Sequence, residues 1–288
     1  MSGRSASEMG YTGILLVDKP RGPSSHQVAA WVGDMLGCSV GHSGTLDPMV
    51  SGVLVVMLGK AVKLAPLLLQ HEKEYIACMR LHADVDRETV ERVVKGFTGR
   101  VYQRPPRRSA VKRALRIRVI YRIEVLDMQG RLVLLRIRCE AGTYIRSVCV
   151  HIGNVLGCGG QMIELRRTMS GGFTAAESYT LHEIRDAVES GDTARLEEMI
   201  LPPEKAISDI PKIVIRERAA DAVAHGASLA SPGVLSVEKF KANQSVVLVT
   251  ESGKLIALAK SLFDADKMPL GSHGIVAVPV RVFAEPRR

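Results

Sequence analysis

Residues Gly41 to Gly52, Gly-His-Ser-Gly-Thr-Leu-Asp-Pro-Met-Val-Ser-Gly, constrain this chain more than any other stretch. They set one carboxylate, Asp47, among glycines, hydroxyls and a proline. Pro48 fixes its own φ and has no N–H to donate. It also drives Asp47 away from helical torsions toward extended ones. Gly41 and Gly44 let the backbone pass close to another group. The run Val53-Leu54-Val55-Val56-Met57-Leu58 that follows reads as a buried strand. The acid is therefore expected on a stiff loop beside a buried element. Asp-Pro is also an ordinary turn signal, so shape alone leaves a turn and a site both open. Two other readings fail. Triad members are defined by spatial roles, and six residues of one loop do not bring His42, Ser43 and Asp47 into relay; nor is Gly41–Gly44 a Gly-x-Ser-x-Gly elbow. Gly52 to Lys60 is too long for a P-loop, and Ala61 stands where Ser or Thr is needed.

The chain has 288 residues, enough for two domains. Its formal charge of +9 points to a polyanionic partner. Cys38, Cys78, Cys139, Cys149 and Cys158 form no Cys-x-x-Cys pair. Cys78, Cys139 and Cys149 have apolar neighbours and read as small core residues in a reducing compartment, with no zinc site. The N-terminal residues lack a secretory signal pattern, and no apolar run reaches membrane-spanning length. The expectation is a soluble, cytoplasmic protein with no membrane partner.

Gly13 to Val17 reads as a strand. Ser24 or Ser25 can cap a helix from His26 to Leu36 that Gly37 ends. Trp31, the only tryptophan, is expected in the core. Lys60 to Leu69 reads as a helix with Pro66 at a kink or boundary, and Tyr75 to Leu81 as a strand. Asp84 and Asp86 read as acids at the start of a helix from Arg87 to Phe97, which removes a metal reading of His82 to Asp86. Ile117, Val119, Tyr121, Ile123 and Val125 alternate along one strand. Val133, Leu135, Ile137 and Cys139 alternate along the next, with a turn at Gln129-Gly130. A helix from Ile145 to Leu156 puts Arg146 in a first turn, where the helix dipole disfavours a cation. That cost calls for an anionic partner, and Asp47 is the candidate. Gln161 to Arg167 is a further strand, and Thr180-x-x-Glu183 is a capping box.

Arg100 to Arg122 holds Arg100, Arg104, Arg107, Arg108, Lys112, Arg113, Arg116, Arg118 and Arg122 and no acid. Pro105-Pro106 and Ser109-Ala110-Val111 interrupt the run, so it reads as an ordered basic loop. Such a loop neutralises phosphates and makes binding salt-dependent. Leu201-Pro202-Pro203 and Ile210-Pro211 bracket a linker. Beyond it, short strands and glycine turns to Phe283 suggest a small β-barrel.

The string Gly-His-Ser-Gly-Thr-Leu-Asp-Pro with Gly52 closely resembles the signature of the TruB family of pseudouridine synthases. Asp18-Lys19-Pro20-Arg21-Gly22-Pro23-Ser24-Ser25 resembles the family's first motif. Glu72-Lys73-Glu74-Tyr75 resembles its tyrosine motif. Gly142-Thr143-Tyr144-Ile145-Arg146-Ser147 and Leu165-Arg166-Arg167-Thr168 resemble its arginine motif and the segment after it. The run Gln103 to Arg113 resembles the archaeal and eukaryotic dyskerin-type branch, and the short N-terminus favours an archaeal source. His225-Gly226-Ala227 through Pro232-Gly233-Val234 resembles, more loosely, an RNA-binding PUA domain.

The resemblance implies an α/β (α+β) catalytic fold with a mixed, largely antiparallel sheet over residues 12–205, and a β-barrel PUA domain over 207–283. It implies an isomerase converting uridine to pseudouridine, with no cofactor and no metal. Asp47 would be the nucleophile on a flipped-out base, Arg146 its cationic partner, and Tyr75 would stack on the ring. Lys19, His42 and Leu165 would bind substrate; Arg107, Arg108, Lys112 and Arg113 would bind RNA. The implied partners are tRNA, rRNA, box H/ACA guide RNA and the small proteins of the H/ACA particle. A guide-independent tRNA synthase and a non-catalytic RNA-binding scaffold are the alternatives.

Overall fold

The structure, a computed structural model, describes residues 11–104, 114–208, 210–271 and 273–284. The chain divides into two compact units, Met1–Pro202 and Pro203–Arg288. In the first, β1 (Gly13–Lys19) leads to α1 (Ser25–Leu36), β2 (Val40–Ser43) and β3 (Ser51–Leu58). Next come α2 (Ala65–Leu69), β4 (Lys73–Leu81), α3 (Arg87–Lys95) and β5 (Gly99–Gln103). The hairpin β6 (Arg116–Gln129) and β7 (Leu132–Cys139) precedes α4 (Ile145–Val155), β8 (Gly160–Ser170) and β9 (Phe173–Thr174). α5 (Leu181–Glu189), α6 (Thr193–Met199) and β10 (Ile200–Leu201) close the unit.

The ten strands form one sheet in the order β10-β1-β3-β8-β4-β7-β6-β5, with β2 paired to β3 and β9 to β8. The β3–β8 pairing is parallel, and the other strand pairings are antiparallel. Val53 to Leu58 are fully buried, as a continuous apolar run requires of a strand covered on both faces. One edge of β3 pairs with β1 from Gly52 to Leu58. The other edge is shared: β2 takes Val55 to Leu58, and β8 takes Ser51 and Gly52. The loop carrying Asp47 leaves the sheet where β3 changes partner.

Helix α1 is capped by Ser24, whose hydroxyl accepts from Gln27 N while the Gln27 side chain accepts from Ser24 N. Its buried arc runs through Ser25, Val28, Ala29, Val32 and Leu36. Trp31 lies off that arc and is 44% exposed, so the expected core tryptophan is a surface one. The expected helix 60–69 is a 3-10 turn, Gly59–Leu64, followed by the short α2, with Pro66 in the first turn where its missing N–H costs nothing. Asp86 caps α3, accepting from Thr89 N at 2.8 Å. Asp84 instead makes a two-pronged pair with Arg131 at 2.8 and 3.0 Å. The hairpin turns at Gly130 as read, but β6 does not keep one apolar face. Register shifts at Ile120/Arg122 and Val125/Asp127 break the alternation. Ile120 and Ile123 are buried, while Ile117 and Tyr121 are exposed. A bulge adds one residue and moves the following side chains to the opposite face.

The second unit contains β11 (Lys212–Ile215), α7 (Glu217–Ala224), β12 (Leu229–Ala230), β13 (Val234–Val237), β14 (Ser245–Thr250), β15 (Leu255–Ser261) and β16 (Ile275–Val282). The sheet order is β12-β16-β15-β14-β11-β13. The two end strands, β12 and β13, are consecutive in the chain and joined by the three-residue turn Ser231–Gly233. A connection that short requires the sheet to curl until its ends meet. Ile213, Ile215, Val246, Leu248, Ala257, Ala259 and Val276 fill the interior with Val223 of α7. Among the described residues no helix is long and apolar enough to cross a membrane, and no group of His, Cys, Asp and Glu is placed to hold a metal.

Candidate active site

Asp47 lies on the loop between β2 and β3, and that loop is tied down residue by residue. Ser25 Oγ, fully buried, accepts from Leu46 N at 2.7 Å and donates to Leu46 O at 2.9 Å. Gly22 N donates to Pro48 O at 2.8 Å. Lys19 Nζ donates to the carbonyls of Pro20, Pro48 and Val50 at 2.8, 3.3 and 2.8 Å. Arg167 Nε donates to Val53 O at 2.9 Å, and its Nη2 to Gly44 O at 3.0 Å. Leu46 and Val50 pack into the same core as Leu165, Ala77 and Ile137. The side chain between these tethers, that of Asp47, is 64% exposed. A fixed backbone carrying an open carboxylate is what a positioned nucleophile needs.

Opposite stands Arg146, in the first turn of α4. Its Nη2 lies 3.0 Å from Asp47 Oδ2. The turn is held from β5: the Gln103 side chain accepts from Tyr144 N at 2.9 Å and donates to Tyr144 O at 3.1 Å. Gln103 is buried, so its amide has no competing water. The Asp47–Arg146 pair is solvent-exposed, and exposed pairs contribute little to stability. Arg146→Met should therefore change the unfolding free energy by less than about 1 kcal/mol. If Arg146 orients Asp47, it should lower product formation by roughly 10²-fold. Urea unfolding and a single-turnover assay on the same preparation check both; a large loss of stability would make Arg146 a structural residue.

Tyr75 pairs with Arg167 across β4 and β8. The residue is half-buried with its hydroxyl end inside, close enough to Arg167 to feel its charge. Burial pushes the phenol pKa up; the Arg167 charge opposes this, and the Asp47 carboxylate adds to it. Tyr75, Arg167 and Asp47 thus share one electrostatic neighbourhood. Leu165, two residues before Arg167 on β8, is buried and pairs with Ala77. His42 is half-buried; burial lowers its pKa, followed by the charges of His26 and Arg167. Its Nδ1 has no hydrogen-bond partner among the described residues. Lys19, expected to line the pocket, is fully buried under the loop with its ammonium on three carbonyls. Burial lowers its pKa, the nearby Asp47 carboxylate raises it, and Arg167 lowers it. Arg107, Arg108, Lys112 and Arg113 lie outside the described residues.

Reading the sequence did not assign Ser25, Gln103, Lys73 or Arg167 to the site. The signal available was a polar side chain at an inward position of a strand or helix start. Lys73 is a clear case. It is 4% exposed and donates to the carbonyls of Leu68, Leu69 and His71 at the end of α2. Burial pulls its pKa down to about 8 from 10.5. Below about pH 8 the group is protonated in both folded and unfolded chains, and its burial cost is fully present. Between pH 8 and 10.5 the folded chain has lost the proton and the unfolded chain keeps it, so stability rises with pH. The wild type should gain on Lys73→Met by up to about 3 kcal/mol across that window. Unfolding free energies of both proteins at pH 7.5 and 10 measure this; a constant difference would show that Lys73 does not titrate there.

Residues 35–145 match the family model "TruB family pseudouridylate synthase (N terminal domain)". Residues 146–208 match "tRNA pseudouridylate synthase B C-terminal domain", and residues 211–283 match "PUA domain". A protein of Methanosarcina barkeri named "Probable tRNA pseudouridine synthase B" is 46% identical, over 95% of this chain and 82% of its own length. A chain of a crystallised Cbf5-Nop10-Gar1 complex superposes with a TM-score of 0.90 at 43% identity, over 98% of this chain and 88% of that one. A chain of an H/ACA ribonucleoprotein bound to a substrate RNA containing 2′-deoxyuridine gives 0.87 at 41% identity, over 98% and 88%. Sheet, loop and relatives agree: the chain belongs to the TruB family of pseudouridylate synthases and is an RNA-modifying isomerase with a C-terminal PUA domain.

Proposed function

We propose that this chain is the catalytic subunit of an H/ACA particle, in which a guide RNA selects uridines of rRNA by base pairing, and that it also acts on the T-loop uridine of tRNA. The observation that carries the chemistry is the 3.0 Å contact between Asp47 and Arg146, made in a loop whose neighbouring carbonyls are held by buried donors. Likeness to subunits crystallised with Nop10 and Gar1, and with substrate RNA, supports the guided assembly and its small protein partners. The name of the curated relatives supports the tRNA substrate. Residues 12–205 form the catalytic domain and 207–283 the PUA domain that adds RNA contact; Arg107, Arg108, Lys112 and Arg113 add phosphate contacts. Cys139 and Cys149, buried thiols whose pKa burial raises to about 12, fit a reducing cytoplasm.

The target uridine leaves its stack, with His42 contacting RNA beside it, and its ring stacks on Tyr75 against the Leu165 wall. Asp47 attacks as the nucleophile, on base or sugar, and the bond from N1 to the ribose C1′ breaks. The ring reattaches through C5 and the bond to Asp47 breaks, returning the free carboxylate; C5 loses its proton to solvent and N1 gains one, so atoms and charge balance without a redox partner. Arg146 holds the carboxylate in place. Tritium release from RNA carrying 5-tritiated uridine tests the whole scheme. The protein alone is assayed on tRNA, and the assembly with guide RNA and partner proteins on an rRNA fragment. Release in both supports both substrates; release only from tRNA reduces the reading to a guide-independent tRNA synthase. No release in either leaves a non-catalytic scaffold.

A further inference from the structure

We infer that Arg167 is the positioning residue that sets the Asp47 loop and Tyr75 as one unit; this rests on the reading of Asp47 and Tyr75 as the reacting pair. Arg167 is 1% exposed, among the largest fully buried side chains of the chain. Burying a guanidinium is expensive unless its donors are used, and no ion pair joins it to a carboxylate among the described residues. Its donors go elsewhere. Two of them reach Gly44 O and Val53 O, the carbonyls at the two ends of the stretch that carries Asp47. Its charge also acts on the phenol of Tyr75, the residue that pairs with it across β4 and β8. A cation beside the phenol opposes the rise in its pKa that burial causes, which suits a residue beside a proton transfer. The Arg167 backbone joins in, because it pairs with Gly52 in the β3–β8 ladder. Any shift of β8 therefore moves the loop and the tyrosine together.

A planar fork can span acceptors that a single ammonium cannot. Arg167→Lys keeps the charge but loses the span, and this makes the test specific. Single-turnover pseudouridine formation at saturating RNA and RNA affinity are measured for wild type, Arg167→Lys, Tyr75→Phe, the double variant and Asp47→Asn. The RNA is 5-tritiated tRNA, or the guided rRNA fragment where that is the active substrate. Arg167→Lys should lower the saturated rate by roughly 10²-fold, with affinity changed less than about threefold. In the Tyr75→Phe background the same change should cost less than about a tenth of that factor, because the two act as one unit. A saturated rate within about twofold of wild type, or effects that multiply in full, overturns the inference while an inactive Asp47→Asn leaves the catalytic reading standing. An active Asp47→Asn overturns the catalytic reading and this inference with it. Thermal melts identify a variant that does not fold. If Arg167→Lys is one, Gly44→Ala replaces it: its methyl would stand 3.2 Å from Arg167 Nη1 and push the guanidinium by a few tenths of an ångström, with added backbone strain at φ +77° that the Tyr75→Phe background leaves unchanged. The same non-additivity with Tyr75→Phe is then expected, and full additivity overturns the inference.

Discussion

Asp47→Asn is expected to lower single-turnover pseudouridine formation by roughly 10⁴-fold or more and to leave RNA affinity and stability near wild type. The substitution keeps size and shape. It removes the negative charge and the nucleophilic oxygen, and leaves an amide that Arg146 can still contact through its carbonyl. Little else depends on the side chain. It is 64% exposed, and the loop is held through backbone carbonyls by Lys19, Ser25 and Arg167. The loss should therefore sit in the rate at saturating RNA. Tritium release, RNA binding and thermal melting separate the three quantities. Release at the wild-type rate would remove Asp47 from the chemistry; release lost together with the fold would make it a structural turn residue.

Gly52→Ala should destabilise the first unit by about 3 kcal/mol or more. Gly52 has φ of +107°, a conformation that L side chains rarely adopt. An added Cβ would lie 2.1 Å from Arg167 O, 2.6 Å from Arg167 N and 2.8 Å from Arg167 C. Those atoms are backbone of β8 and cannot rotate away. The β3–β8 pairing is the parallel junction between the two halves of the sheet, so forcing it open disturbs both. The loop should suffer as well, since Arg167 grips Gly44 and Val53 from the same strand. Gly130→Ala is the control. Its φ is also positive, +55°, but nothing lies within 4 Å of the added atom. That variant should cost only about 1 kcal/mol. Urea unfolding of both decides the matter: equal midpoints would mean that the close approach of β3 and β8 carries no weight.

The features legible in the sequence share one property: each is fixed by neighbours along the chain. Pro48 restricts Asp47, Ser24 caps α1, Thr180 and Glu183 close a capping box, and Gln129-Gly130 turns a hairpin. A cation in the first turn of α4 pointed to an acid 99 residues away, because a helix dipole is also local. Readings that depended on distant packing fared worse. Trp31 has helical spacing but lies beside the buried arc, and the alternation of β6 changes face at a bulge. Neither a neighbouring helix nor an extra unpaired residue leaves a mark in the local pattern.

The sequence by itself determined the motif residues, the one carboxylate on a stiff loop, the order of most elements and the two-unit layout. Only the tertiary structure decided that Lys19, Lys73 and Arg167 are buried, with their charges on backbone carbonyls, and that Arg167 pairs across the sheet with Tyr75. The physical reason is that a basic side chain reads as solvated wherever it stands in a sequence. Its burial becomes affordable only when several acceptors, drawn here from β3, the end of α2 and the loop between β2 and β3, converge on it in space.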